Sequence, residues 1–224
     1  MDVHELFMQP DNNFIEIRPS ASLLERAQRL WALNSVASKI RDHEKIQGTK
    51  LENDARAINE LIRQHSVLLT IYHRCGNDPN LGMELLSLSD INKIPSTTRN
   101  MTNLGRLQFV VMLNFFIESI LRKFIRRNSA SPEFGYTKVA RQALNLAEIY
   151  NKSDEYAMMV ISMIRNTFHD AGTHSHNTKT LSLQGVSYSF VQGDYVKGDA
   201  GWDQIAHAAN CALKVIEKIV STLP

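Results

Sequence analysis

The chain has 224 residues, enough for one domain with a sizeable buried core. Hydrophobic residues make up 43%, charged residues 21% and aromatic residues 8%, which excludes wholesale disorder, collagen-like and coiled-coil compositions. Twenty-five Lys and Arg against twenty-three Asp and Glu leave a formal net charge of +2, so a basic binding site has to be local rather than a property of the whole chain.

The two cysteines, Cys75 and Cys211, are far apart and form no CxxC pair, which argues against a disulfide framework and for a reducing compartment. The start, MDVHELFMQPDNNF, lacks the basic and apolar blocks of a secretory signal. The densest apolar run, Phe109 to Ile117, is interrupted by Asn114 and followed by Glu118, well short of the ~20 residues that cross a bilayer. The expectation is a soluble, cytoplasmic protein without a membrane partner.

In chain order, residues 1–19 carry Pro10, Pro19 and the alternating Phe14-Ile15-Glu16-Ile17, and read as an extended N-terminal arm. Residues 20–97 read as an N-terminal helical region. Ser20 or Ser22 caps a first helix that fades near Gly48, and a second runs from about Leu51 to Tyr72 and stops at Gly76-Asn77-Asp78-Pro79. A short helix and a connector ending at Pro95 follow. Residues 98–224 form the remaining helical core. Asn100 to Arg127 is its most hydrophobic helix, with two more at about 136–150 and 154–171, the latter closed by Gly172. The period then changes over 181–196, where alternating apolar residues surround Gln192-Gly193-Asp194 and signal a hairpin. A last helix runs from Trp202 to about Thr222. The fold class expected is all-α, a mainly helical bundle with a small C-terminal β-hairpin.

One stretch carries chemistry: Met163-Ile164-Arg165-Asn166-Thr167-Phe168-His169-Asp170-Ala171-Gly172. At ~100° per residue, His169 falls about 40° from Arg165, whereas Tyr156, Val160, Met163, Ile164 and Phe168 cluster on the opposite side as the expected core stripe. Met158 and Ile161 lie beside Arg165, so that face needs a cover too, either another helix or another protomer. Arg165 offers a permanent charge and a planar fork suited to phosphate, His169 a proton donor or acceptor near neutrality, and Asn166 an orienting amide. The trio suits cleavage of an RNA phosphodiester, where a base deprotonates the 2′-hydroxyl, a cation stabilises the phosphorane and an acid protonates the leaving oxygen. The bland reading of the same spacing is a solvated pair that helps cap a helix end.

An Arg-Asn start followed closely by His, late in a helix of an all-helical protein, resembles the signature of the HEPN superfamily. The preceding helix, with Phe115-Phe116-Ile117-Glu118-Ser119-Ile120-Leu121 leading into Arg122-Lys123, is similar to the helix HEPN proteins pair with the motif helix. The resemblance covers roughly Met101 to Gly172, about a third of the chain. It implies an RNA-binding protein or metal-independent endoribonuclease of a toxin–antitoxin or defence system, acting as a homodimer whose motifs meet at a composite cleft, with an antitoxin protein as a further partner. It also implies Arg165, Asn166 and His169 as the catalytic residues and Glu118 as a supporting polar group. The family's nuclease pattern leaves four to six residues between Arg and His, whereas three separate them here, a departure that phosphate binding survives better than catalysis does. The alternative is a non-catalytic helical protein-interaction or scaffold module.

Between Arg99 and Arg127 six basic residues face one acid, and Arg122, Lys123, Arg126 and Arg127 make this the best nucleic-acid-binding patch in the chain, or else the dipole-complementing end of a helix. His169, Asp170, His174 and His176 crowd eight residues, but no second cluster supplies further ligands, so neither a metal nor a cofactor is expected. Trp202 and Tyr188 read as anchors of the last helix rather than base-stacking platforms.

Overall fold

The computed structural model of the chain describes residues 22–46, 52–169, 174–175, 177–193 and 201–222, apart from the side chains of residues 44–46, 52, 168 and 169. The N-terminal arm expected over 1–19 lies outside these residues. The fold is all-α with one small hairpin, and every element can be traced to local chemistry.

Helix α1 (Leu23–Ile46) begins at a reciprocal cap, in which Ser22 Oγ accepts from the Glu25 amide at 3.2 Å while the Ser22 amide donates to Glu25 Oε2 at 2.6 Å. Helix α2 (Glu52–Asn77) runs a turn further than its apolar pattern suggests, and Asp78 then caps the short α3 (Pro79–Leu85) by accepting from the amides of Asn80 and Leu81. After a 3₁₀ turn (Ile91–Lys93), α4 (Ile94–Arg127) starts six residues before the expected Asn100. Pro95 lies in its first turn, where a proline's missing N–H would have had no helical partner anyway, so it opens the helix instead of ending the connector. The residue 97 boundary drawn from sequence therefore falls inside a continuous helix.

Helices α5 (Tyr136–Leu146) and α6 (Lys152–His169) follow, then strands β1 (Lys179–Leu183) and β2 (Val186–Phe190), and α7 (Trp202–Ser221). The strands pair antiparallel with Lys179 opposite Phe190 and Leu183 opposite Val186. The reversal is at Gln184-Gly185, both in the left-handed region with φ of 48° and 84°, not at the expected Gln192-Gly193-Asp194. A two-residue turn with positive φ at both positions matches the twist of its strands. The second site instead pins the end of the hairpin: the Gly193 amide donates to His174 O at 2.8 Å and the Gln192 amide to Thr178 Oγ1 at 3.0 Å.

Helix α4 is the hub, packing against α2, α5, α6 and α7. It runs antiparallel to α2, since Lys123 meets Asp54 at one end and Phe109 meets His65 at the other. Helices α1 and α7 run parallel, tied at one end by Arg29 to Asp203 at 2.7 Å and at the other by Lys39 to Glu217 at 4.0 Å. Helix α6 is antiparallel to α7, with Asp154 near its start bridged to Lys218 near the end of α7. Tyr188 ties the hairpin to α7, its hydroxyl donating to Gln204 O at 3.0 Å and lying 2.7 Å from His207 Nδ1, and Trp202 packs on His65 and Phe109. One contiguous set of buried apolar side chains extends from Ala27 to Val220.

By length and composition α4 qualifies as a membrane span. Part of its apolar surface is used by the bundle, since Phe109, Val110, Leu113, Ile117, Ile120, Leu121, Phe124 and Ile125 are buried in the core.

Candidate phosphate-binding site

Helix α6 is buried on more sides than an amphipathic reading allows. Val160 and Ile164 are buried as expected, but Tyr156 and Met163 are only partly so. Met158 and Ile161, on the Arg165 side, are wholly buried. The cover they required comes from the same chain, since α6 contacts α4, α5, α7 and β1. These two residues therefore give no argument for a second protomer.

The start of α6 carries two buried acids, both answered. Asp154 takes Lys218, and Glu155 takes Arg141, Lys152 and the Tyr150 hydroxyl. At its other end Arg165 is half-buried and reaches toward α4. Its Nε donates to Asn114 Oδ1 at 3.3 Å and its Nη1 to Asn166 Oδ1 at 3.1 Å. Both partners are neutral amides, and among the described residues no carboxylate pairs with Arg165. Two cations of α4 differ from it: Arg122 holds Glu118 through Nε at 2.8 Å and Nη2 at 2.7 Å, and Lys123 holds Asp54 at 2.6 Å. A partly desolvated guanidinium without a counter-charge leaves an electrostatic demand that an anion would meet.

Asn114, Glu118 and Arg122 follow one another at intervals of one helical turn along α4, and Tyr136 is the first residue of α5, a helix that packs on both α4 and α6. Tyr136 is buried; burial is the main cause of its raised pKa, the Glu118 carboxylate adds to it, and Arg165 opposes it. The phenol therefore keeps its proton throughout the ordinary pH range. Gly135, at φ 91°, sets the entry of the chain into α5 in a conformation that favours glycine.

The residues expected to form the site are placed as follows. Arg165 and Asn166 are in contact, Arg165 Nη1 donating to Asn166 Oδ1. Position 169 closes α6 one turn beyond Arg165, but the His169 side chain lies outside the described residues, as do Asp170, Gly172 and His176. Glu118 lies in the Asn114 to Arg122 row and is held by Arg122. In the basic patch, Arg122 is engaged by Glu118 and by Glu133 O at 3.3 Å, and Lys123 by Asp54, whereas Arg126 and Arg127 remain exposed without an ion pair among the described residues. His174 is buried against Phe190, its Nε2 3.2 Å from Asn177 O. Among the described residues, no three His, Cys, Asp or Glu side chains are grouped so as to hold a metal ion.

Asn114 and Tyr136 were not anticipated. Asn114 had a visible mark, a lone amide in an otherwise apolar run, which in a buried helix signals a required hydrogen bond. Tyr136 had none, because only the packing of α5 on α4 and α6 brings it near Arg165. No protein-family model, curated protein or solved structure matches this chain.

Proposed function

We propose that the chain is a HEPN-like RNA-binding protein that grips a backbone phosphate with Arg165, oriented by Asn166, and that cleaves RNA without metal through His169 at a composite site of two copies. In this reading Arg165 stabilises the charge of the phosphorane and His169 handles the proton of the 2′-hydroxyl or of the leaving oxygen. The setting is a toxin–antitoxin or defence system, with an antitoxin protein as the restraining partner. The observation that supports it is a half-buried guanidinium held by two neutral amides with no carboxylate among the described residues. Exposed Arg126 and Arg127, at the end of the helix that faces Arg165, supply further positive charge for a strand to follow.

The test is an assay of purified protein on labelled single-stranded RNA with EDTA present. Wild-type cleavage that disappears in His169→Ala supports the enzyme, and loss of RNA binding in Arg165→Ala supports the phosphate grip. Unchanged binding in Arg165→Ala overturns the reading.

A second reading, a non-catalytic interaction or scaffold module, draws on a different observation. Leu104 and Phe115 on α4 are 59% and 63% exposed, an apolar stretch of the hub helix that the bundle leaves uncovered. Protein that forms a dimer but neither binds nor cuts RNA would favour this module.

A further inference from the structure

The Arg165 site contains more hydrogen-bond donors than the protein uses. Asn114 is 1% exposed, and because its Oδ1 accepts from Arg165 Nε, its Nδ2 must be the donor side of the amide; that nitrogen is buried and has no partner among the described residues. The Tyr136 hydroxyl, on a residue 8% exposed, is likewise buried without a partner. A buried polar group without a hydrogen bond destabilises the fold, and native proteins carry few of them. Here two such groups, on two different helices, accompany a guanidinium without a counter-charge among the described residues.

Among the described residues nothing consumes these donors. Glu118 is already held through two nitrogens of Arg122. The Asn166 carbonyl oxygen is taken by Arg165 Nη1. Among the described residues the site lacks an acceptor, and an oxyanion with several oxygens would answer all three groups at once.

We infer that Asn114 and Tyr136 are ligand-binding residues, donating from Nδ2 and from the phenolic hydroxyl to oxygens of the same phosphate group that Arg165 attracts. This rests on the reading of Arg165 as a phosphate grip and extends it to α4 and α5, so that the anion is held by three helices. It also gives the α4 amide a role beyond orienting Arg165: its carbonyl aims the guanidinium and its nitrogen faces the ligand.

The experiment uses the full chain with two probes, inorganic phosphate followed by ³¹P line broadening and labelled single-stranded RNA followed by fluorescence anisotropy. Tyr136→Phe removes only the hydroxyl. It is expected to weaken binding of both probes roughly tenfold, the worth of one hydrogen bond to a charged group, while leaving the melting temperature in phosphate-free buffer equal to or above that of wild type. A purely structural hydroxyl would leave binding unchanged. Asn114→Asp sets a carboxylate against Arg165 and is expected to abolish phosphate binding while the protein stays folded. Wild-type-like affinities in Tyr136→Phe, with binding lost in Arg165→Ala, would overturn the inference and leave the Arg165 reading standing. Phosphate bound by wild type and weakened in Tyr136→Phe, with no RNA bound by either, would uphold the inference and overturn the RNA reading. A wild type that binds neither probe overturns both.

Discussion

Glu155 shows how this chain treats a buried charge. Burial pushes its carboxyl pKa up, but hydrogen bonds from Lys152, Arg141 and the Tyr150 hydroxyl outweigh that effect and hold it down at about 2. A depressed folded-state pKa means that stability from this group is present above the ordinary carboxylate range and is lost as pH falls toward about 2. Thermal melts between pH 5 and pH 2 should therefore show falling stability, with a shallower fall in Glu155→Gln. At neutral pH that variant should lose about 1–2 kcal/mol, a figure kept low because Arg141 and Lys152 are exposed. Arg165 is the opposite case, a cation for which the described fold supplies no acid. The two residues lie on one helix, and a sequence reading sees both only as charges at helical spacing.

Element boundaries follow rules that are local, and most were legible. The Ser22 and Glu25 cap is a pattern visible without coordinates, and Ser22→Ala should cost about 1 kcal/mol, seen as a drop of a few degrees in melting temperature. The hairpin shows where such rules compete. Two glycine-bearing turns were available, Gln184-Gly185 and Gln192-Gly193, and the strands close on the first because both of its residues take positive φ. Gly185→Ala should therefore destabilise by about 1 kcal/mol through backbone strain alone, since nothing crowds a Cβ at that position. Circular dichroism melts of the two variants would check both values. Helix α4 starts earlier than its apolar pattern implies because Pro95 sits in the first turn, where proline is tolerated.

At the scale of the whole molecule, the fold decides what is interior. Met158 and Ile161 are covered by the chain's own helices, so the case for a homodimer rests on Leu104 and Phe115, which stay exposed on α4. Sedimentation is expected to find a dimer, and Phe115→Ser with Leu104→Ser should shift it toward monomer without lowering the melting temperature of the monomeric unit, since neither side chain contributes to the buried core. A lower melting temperature with an unchanged oligomer would show instead that these residues pack within the bundle.

From the amino-acid order alone came the all-helical class with its single hairpin, the position of nearly every helix, and the Arg165-Asn166 pair as the residues to examine. Those depend on periodicity and capping, which act between residues a few positions apart. Tertiary packing decided the rest. It buried both sides of α6, paired Arg122 and Lys123 with acids, left Arg165 with neutral amides, and drew Asn114 and Tyr136 to it from two other helices. Such contacts join residues tens of positions apart, and helical spacing specifies which face a side chain occupies but not which neighbour meets it there.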